Sequence, residues 1–187
     1  MKKEQILKTS IEILAERGYA NTTTRMISEK AGIAVGSIYT HFKSKEAILD
    51  EIFLSEYEKR ATYLKSLKKI QGRQIDKFDR FLDFHFMELD INRDLMMVLA
   101  RESGNPELQD LDGVQKFVHQ LPDFFKTILD EAIEIGEIRP LNTTLTGKII
   151  FSTIRGTVFD SVIRTKDLDL DDIKKELQAF IKNAIQI

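Results

Sequence analysis

Between Thr22 and Lys45 the chain has room for two short helices and one tight turn, and for little else. Thr22, Thr23 and Thr24 open the first helix, since a threonine oxygen at an N-cap accepts a free backbone N–H. Gly32 supplies the turn, and the second helix follows it. Ile27, Ala31, Ile33, Ile38 and Phe42 fall where the two helices face each other and predict a small core. The outward positions between them are Val35, Gly36, Ser37, Tyr39, Thr40 and His41. These residues are small or hydrogen-bonding. Gly36 lets a partner's backbone come close, Tyr39, Thr40 and His41 can donate to phosphate oxygens, and Ser37 or Thr40 can reach base edges. Two short helices with that outer face describe a helix-turn-helix, whose second helix enters the DNA major groove.

The flanking segments frame this stretch. A helix over 3–17 carries Leu7, Ile11 and Leu14 at helical spacing, with Ile6, Ser10 and Ile13 beside them, and Gly18 ends it. Ser44 is placed to cap a long helix running to about Ile70, with Ile48, Leu49, Ile52, Phe53 and Tyr57 on one side. Lys45 lies in its first turn, where the helix dipole disfavours a cation and a nearby phosphate would remove the conflict.

The segment from Ile6 to Phe53 resembles the N-terminal domain of the TetR/AcrR family of transcriptional repressors. The resemblance rests on Gly18-Tyr19, Thr22-Thr23, Ile27, Ala31-Gly32-Ile33, Gly36-Ser37-Ile38-Tyr39, His41-Phe42-Lys43-Ser44-Lys45-Glu46 and Leu49. It covers about a quarter of the chain. It implies phosphate contacts from Thr24, Tyr39, His41 and Lys45, and base or groove contacts from Arg25, Val35, Gly36, Ser37 and Thr40. The sequence departs from the family pattern at Ala34, where a serine often caps the recognition helix, and at Val35, where a polar or basic residue is common.

Charge agrees with this division once the chain is split. Overall the net charge is −2, but residues 1–50 hold eight Lys/Arg against six Asp/Glu, leaving the acid excess to the remainder. With three prolines, nine glycines and no long alternating β-branched run, the chain reads as all-α: a three-helix helix-turn-helix domain over 1–46, then a helical ligand-binding and dimerisation domain over 47–187, about nine helices in all. The absence of cysteine removes disulfides, thiol catalysis and Cys-bound zinc, and it suits a cytoplasmic protein. No signal peptide or membrane-length apolar run is read. His41, His85 and His119 are scattered, so no metal site, catalytic residue or cofactor is assigned.

Beyond Gly72 the sequence predicts helices over 74–91, from Asn92 through Leu99, over Val114–Ile135 with a kink or break near Leu121 because Pro122 lies inside the run, over 142–165 and over 170–186, and a loop or broken helix from Ser103 to Gly113. Most of the Phe and Met residues here belong to a hydrophobic core. The family resemblance implies a ligand cavity among them, assigned to Phe78, Phe81, His85, Met97, Arg101, Phe117, Phe125 and Arg155. The Phe-rich helix, with Asn92-Arg93-Asp94-Leu95 and Ala100-Arg101-Glu102, resembles the fatty-acid-responsive members, so the small-molecule effector is read as a fatty acyl or other apolar ligand. Small residues among apolar ones over 142–165, including Gly156, and the apolar stripe of 170–186 mark a homodimer interface. The function expected is a repressor that binds a pseudo-palindromic double-stranded operator as a dimer and is released by its effector. The competing readings are a helical interaction module or an enzyme without DNA binding.

Overall fold

The computed structural model describes residues 2–165 and 169–185 and contains no strand among them. Three helices form the N-terminal unit: α1 (Lys2–Arg17), α2 (Thr24–Ala31) and α3 (Val35–Tyr39). The Thr23 hydroxyl caps α2 by accepting from the Met26 N–H. Gly32 ends it at φ 65°, a left-handed conformation that favours glycine. Ala34 gives α3 no side-chain cap, as its chemistry dictates. Ile6, Ile13, Leu14, Ile27, Ile38 and Phe42 are buried between these helices, and Ile33 is half-buried at the turn.

The long helix α4 (Lys45–Leu67) starts at Ser44, whose hydroxyl accepts from the Ala47 N–H, and carries the chain into the body. It stops one turn short of the expected end. Lys69 and Ile70 bond to the carbonyls of Ser66 and Leu67, tightening the chain into a turn. Helix α5 (Asp76–Ile91) begins two residues later than expected, and the Glu137 carboxylate caps the chain entering it by accepting the N–H groups of Gln74 (2.7 Å) and Ile75 (2.9 Å). Helix α6 (Arg93–Glu102) is capped by Asn92, which accepts from the Leu95 N–H.

The run called α7 has three registers: α over Asp112–Gln115, π over Lys116–Gln120 and α over Leu121–Glu134. The sequence predicts a kink or break near Leu121, ahead of Pro122, and the register does change there. The disturbance takes the form of π turns just before Pro122. Pro122 has no N–H to donate, and in an α register its ring would press on the carbonyl four residues back. Helix α8 (Thr143–Phe159) continues as a π segment (Asp160–Thr165), and α9 (Leu170–Ile185) closes the body. The expected end of α9 at residue 186 lies outside the described residues.

Two glycines permit close helix crossings. A Cβ on Gly113 would lie 2.3 Å from the Asp50 carbonyl oxygen and 2.6 Å from the Leu54 nitrogen, so α7 can seat on α4 only with glycine there. The Gly113 N–H also donates to the Asp50 carboxylate. A Cβ on Gly147 would lie 2.9 Å from the Pro122 carbonyl, which brings α8 onto α7. One continuous apolar core runs through both units.

Candidate nucleic-acid interface and effector cavity

The outer face of α2 and α3 carries the residues read as DNA contacts. Arg25, Val35, Gly36, Tyr39, Thr40 and His41 are exposed, while Thr24 and Ser37 are half-buried. Tyr39, 53% exposed, shares a hydrogen bond with the Thr24 hydroxyl at 3.2 Å, which fixes both groups at one edge of the face. Arg25 is held along the helix by Glu29, whose carboxylate accepts from Nε at 2.9 Å. A Cβ on Gly36 meets nothing within 4 Å, so packing within the chain does not require glycine there.

Lys45 is engaged differently from the expectation. Its ammonium donates to the Tyr19 carbonyl at 2.7 Å and sits 3.9 Å from the centre of the Tyr19 ring. The cation in the first turn of α4 is therefore stabilised within the chain, by a carbonyl and a π face. Tyr19 is a junction. Its hydroxyl donates to Glu46, which draws the Glu46 carboxyl down to about 2, chiefly through that hydrogen bond. Burial, followed by the hydrogen bond to Glu46 and then its charge, pushes the tyrosine hydroxyl well above its ordinary value.

Helix α6 holds the N-terminal unit to the body. Arg101 donates to the carbonyls of Leu14 and Ala15, both at 3.2 Å, at the C-terminal end of α1. A cation there also suits the helix dipole. Glu102, buried, accepts the Tyr19 N–H at 2.9 Å, and its other oxygen accepts from Asn105.

The apolar cavity lies on the other side of α6. It is lined by His85, Leu89, Met96, Leu99, Ala100, Phe117, Phe151, Ile154, Arg155 and Val158. Its free volume is about 30 Å³, room for roughly one water. Of the eight residues assigned from the sequence, His85, Phe117 and Arg155 line it. Phe78, Phe81 and Phe125 form the aromatic layer behind. Phe81 stacks on His85 with centroids 5.6 Å apart, and Phe125 meets Phe81 and Phe78 edge-on at 5.0 and 5.4 Å. Met97 and Arg101 are placed elsewhere. They sit four residues apart on the face of α6 opposite Met96, Leu99 and Ala100, so the same helix rotation that lines the cavity turns them away. Met97 borders a separate cleft of about 560 Å³ between α1 and α6, lined by Glu12, Glu16, Lys30, Arg93 and Asp94 among others. Five charged side chains suit that cleft poorly to an apolar ligand. Met96 borders both spaces.

Sequence reasoning missed the polar cluster behind the cavity wall. Arg60 on α4 is 1% exposed, and its Nη1 bonds to the buried Glu56 carboxylate. Its Nε donates to Nδ1 of His85 at 2.9 Å, and its guanidinium lies 5.4 Å from the Phe117 ring centre. The signal was present. Leu49, Phe53, Glu56, Arg60, Leu64 and Leu67 recur at three- and four-residue steps, so both charges fall on the buried stripe. An (i, i+4) Glu–Arg pair ordinarily reads as a surface pair. Burial, and then the Arg60 charge, hold His85 well below its usual value, so the imidazole is neutral. Arg155 donates to the Ser103 carbonyl at 3.2 Å, and burial lowers its value too.

Comparison with known proteins places this arrangement. Residues 6–52 match the family described as bacterial regulatory proteins, tetR family. The chain is 30% identical over 185 residues to the fatty acid metabolism regulator protein of Bacillus subtilis, covering 97% of this chain and 94% of that protein. Its fold is similar to that of FadR from Bacillus subtilis in complex with stearoyl-CoA (TM-score 0.81, 28% identity, 95% and 96% of the two chains). It is also similar to that of the fatty acid degradation regulator FadR from Bacillus halodurans (TM-score 0.85, 24% identity, 96% and 94%). With a relative that similar along nearly its whole length, and a family match centred on the helix-turn-helix, the chain belongs to the tetR family of bacterial regulatory proteins.

Proposed function

We propose that the protein is a ligand-responsive transcriptional repressor that grips a pseudo-palindromic operator as a homodimer and lets go when an acyl effector enters the α6–α7–α8 cavity. Residues 1–46 are the reading unit and residues 47–187 the controlling and dimerising body. Thr24, Tyr39 and His41 are assigned to phosphates, with Lys45 joining them through its remaining donors. Arg25, Val35, Gly36, Ser37 and Thr40 are assigned to the groove. His85, Phe117 and Arg155 are assigned to the effector. The observation that carries the reading is α6 itself: Met96, Leu99 and Ala100 wall the cavity, and the next two residues clamp α1 and Tyr19.

The acyl class is supported by the stearoyl-CoA bound to the Bacillus subtilis relative and by the apolar lining. A long acyl chain needs far more than 30 Å³, since ligand pockets run to about 300 Å³ and above. The effector must push the wall outward, and the wall is the helix that holds the DNA-reading unit. Ligand and DNA then weaken each other by the same factor; a coupling of about 3 kcal/mol is a hundredfold or so. No helix among the described residues is long and apolar enough to cross a membrane, and the relatives named are regulators. We read the chain as non-enzymatic.

The test is operator binding by fluorescence anisotropy, with and without palmitoyl-CoA. The expected result is salt-sensitive, sequence-selective binding that palmitoyl-CoA reverses. The double variant Arg25→Ala, Tyr39→Phe should bind at least about tenfold more weakly. Lys45 is a poor choice for this experiment, because replacing it also removes the Tyr19 contacts. Operator binding indifferent to acyl compounds overturns the effector assignment. Absence of any selective DNA binding overturns the repressor.

A further inference from the structure

The cavity wall is almost wholly apolar, yet one of the residues that line it, His85, carries a hydrogen-bonding ring. Arg60 is always protonated, so its Nε can only donate, and Nδ1 of His85 must be the acceptor. That leaves the imidazole proton on Nε2. Among the described residues Nε2–H has no hydrogen-bond partner in the structure. Arg60 Nη2, fully buried, has none either. Nε2–H lies on the side of the ring away from Arg60, on a residue that lines the cavity, and Arg60 Nη2 is a buried donor behind it. A buried donor without a partner is costly and asks for an acceptor. Glu56, the carboxylate of the cluster, is already engaged by Arg60 and Lys59.

We propose that His85 Nε2–H, backed by Arg60, is the recognition site for the acyl carbonyl oxygen of the effector. The assignment rests on the acyl-effector reading above and adds the group by which the chain is identified. Arg60 sets the tautomer, so the imidazole presents a donor where an unconstrained histidine is free to present an acceptor. Phe81 stacks on the ring and holds its plane. The site therefore prefers a ligand with an acceptor oxygen at the head of its chain, whether thioester or free acid, over an equally apolar ligand without one. Because Arg60 stands on α4, the contact also ties the ligand to the helix that leads into the reading unit.

The experiment measures binding directly by calorimetry, without DNA, using palmitoyl-CoA, palmitate and S-hexadecyl-CoA, a thioether with methylene in place of the carbonyl. The wild-type protein should bind palmitoyl-CoA about tenfold more tightly than the thioether. His85→Leu should erase that difference, and His85→Gln, which keeps an amide donor, should restore part of it. Palmitate binding with the same sensitivity to His85→Leu assigns the site to the carbonyl oxygen alone. Palmitate binding that ignores the substitution overturns the free-acid half of the assignment. Equal affinity for thioester and thioether in the wild type overturns the proposal while leaving the acyl effector standing. The tenfold preference intact, together with palmitoyl-CoA that fails to release the operator in the anisotropy titration, does the reverse. No binding of any of the three overturns both. If His85→Leu fails to fold, ¹⁵N NMR of the wild type decides: an Nε2–H tautomer whose resonance moves with palmitoyl-CoA but not with the thioether supports the site, and an Nδ1–H tautomer overturns it.

Discussion

Gly36 separates the demands of folding from those of binding. Within the chain nothing crowds the position, and α3 would form more readily with alanine, which is favoured over glycine in a helix by about 1 kcal/mol. Gly36→Ala is therefore expected to raise unfolding stability by up to about 1 kcal/mol in urea denaturation while weakening operator binding in gel-shift titration. Unchanged affinity would remove Gly36 from the groove contact. His85 gives a second single-residue prediction. Its value is held below the ordinary 6.5, so below that pH the unfolded chain binds a proton that the folded chain refuses. Stability from this group is complete above pH 6.5 and falls as pH drops, by as much as about 1.4 kcal/mol per unit. His85→Gln keeps an acceptor for Arg60 and removes that component. Thermal unfolding of the variant between pH 7 and pH 5 should show a shallower loss than the wild type.

At the scale of elements, the contact between α7 and α4 depends on Gly113. Any side chain there meets the backbone of Asp50 and Leu54, which cannot retreat without bending α4. Gly113→Ala is expected to lower stability by about 1–3 kcal/mol or more, measured by chemical denaturation, and to shift operator affinity as α4 moves. The sequence made this crossing invisible, since Gly113 stood in what read as a loop. The helix-turn-helix was legible because its signals are local: threonine caps, a glycine turn and five apolar residues at fixed steps. The π register before Pro122 was half legible. Proline announces a disturbance near Leu121, but not that it takes the form of a π segment over Lys116–Gln120. Arg60 was the opposite case. Its burial depends on α5 and α7 closing over α4, a long-range fact that an (i, i+4) pair does not announce.

For the whole molecule, the outer faces of α8 and α9 leave apolar side chains uncovered. Leu145, Ile149 and Phe180 are each more than half exposed, and the small residues Ser152 and Gly156 continue the stripe of α8. Such a patch marks an interaction surface, and two-fold pairing across it would set the reading units at successive major grooves, about 34–36 Å apart. Ile149→Lys places a charge at the centre of that face. Light scattering should report a shift from dimer to monomer, with a steep fall in operator affinity; a dimer that survives moves the interface elsewhere.

The small volume of the cavity has a final consequence. A pocket already shaped to its ligand accepts short chains as readily as its apolar area allows. A seam that opens only as it is filled responds to how far the filling goes. Each added methylene contributes about 0.8 kcal/mol of burial, close to a fourfold change in affinity, while also moving the wall a little further. A chain too short to displace α6 would bind and leave the operator occupied. The protein would then act as a ruler, reporting the length of an acyl chain and not merely its presence.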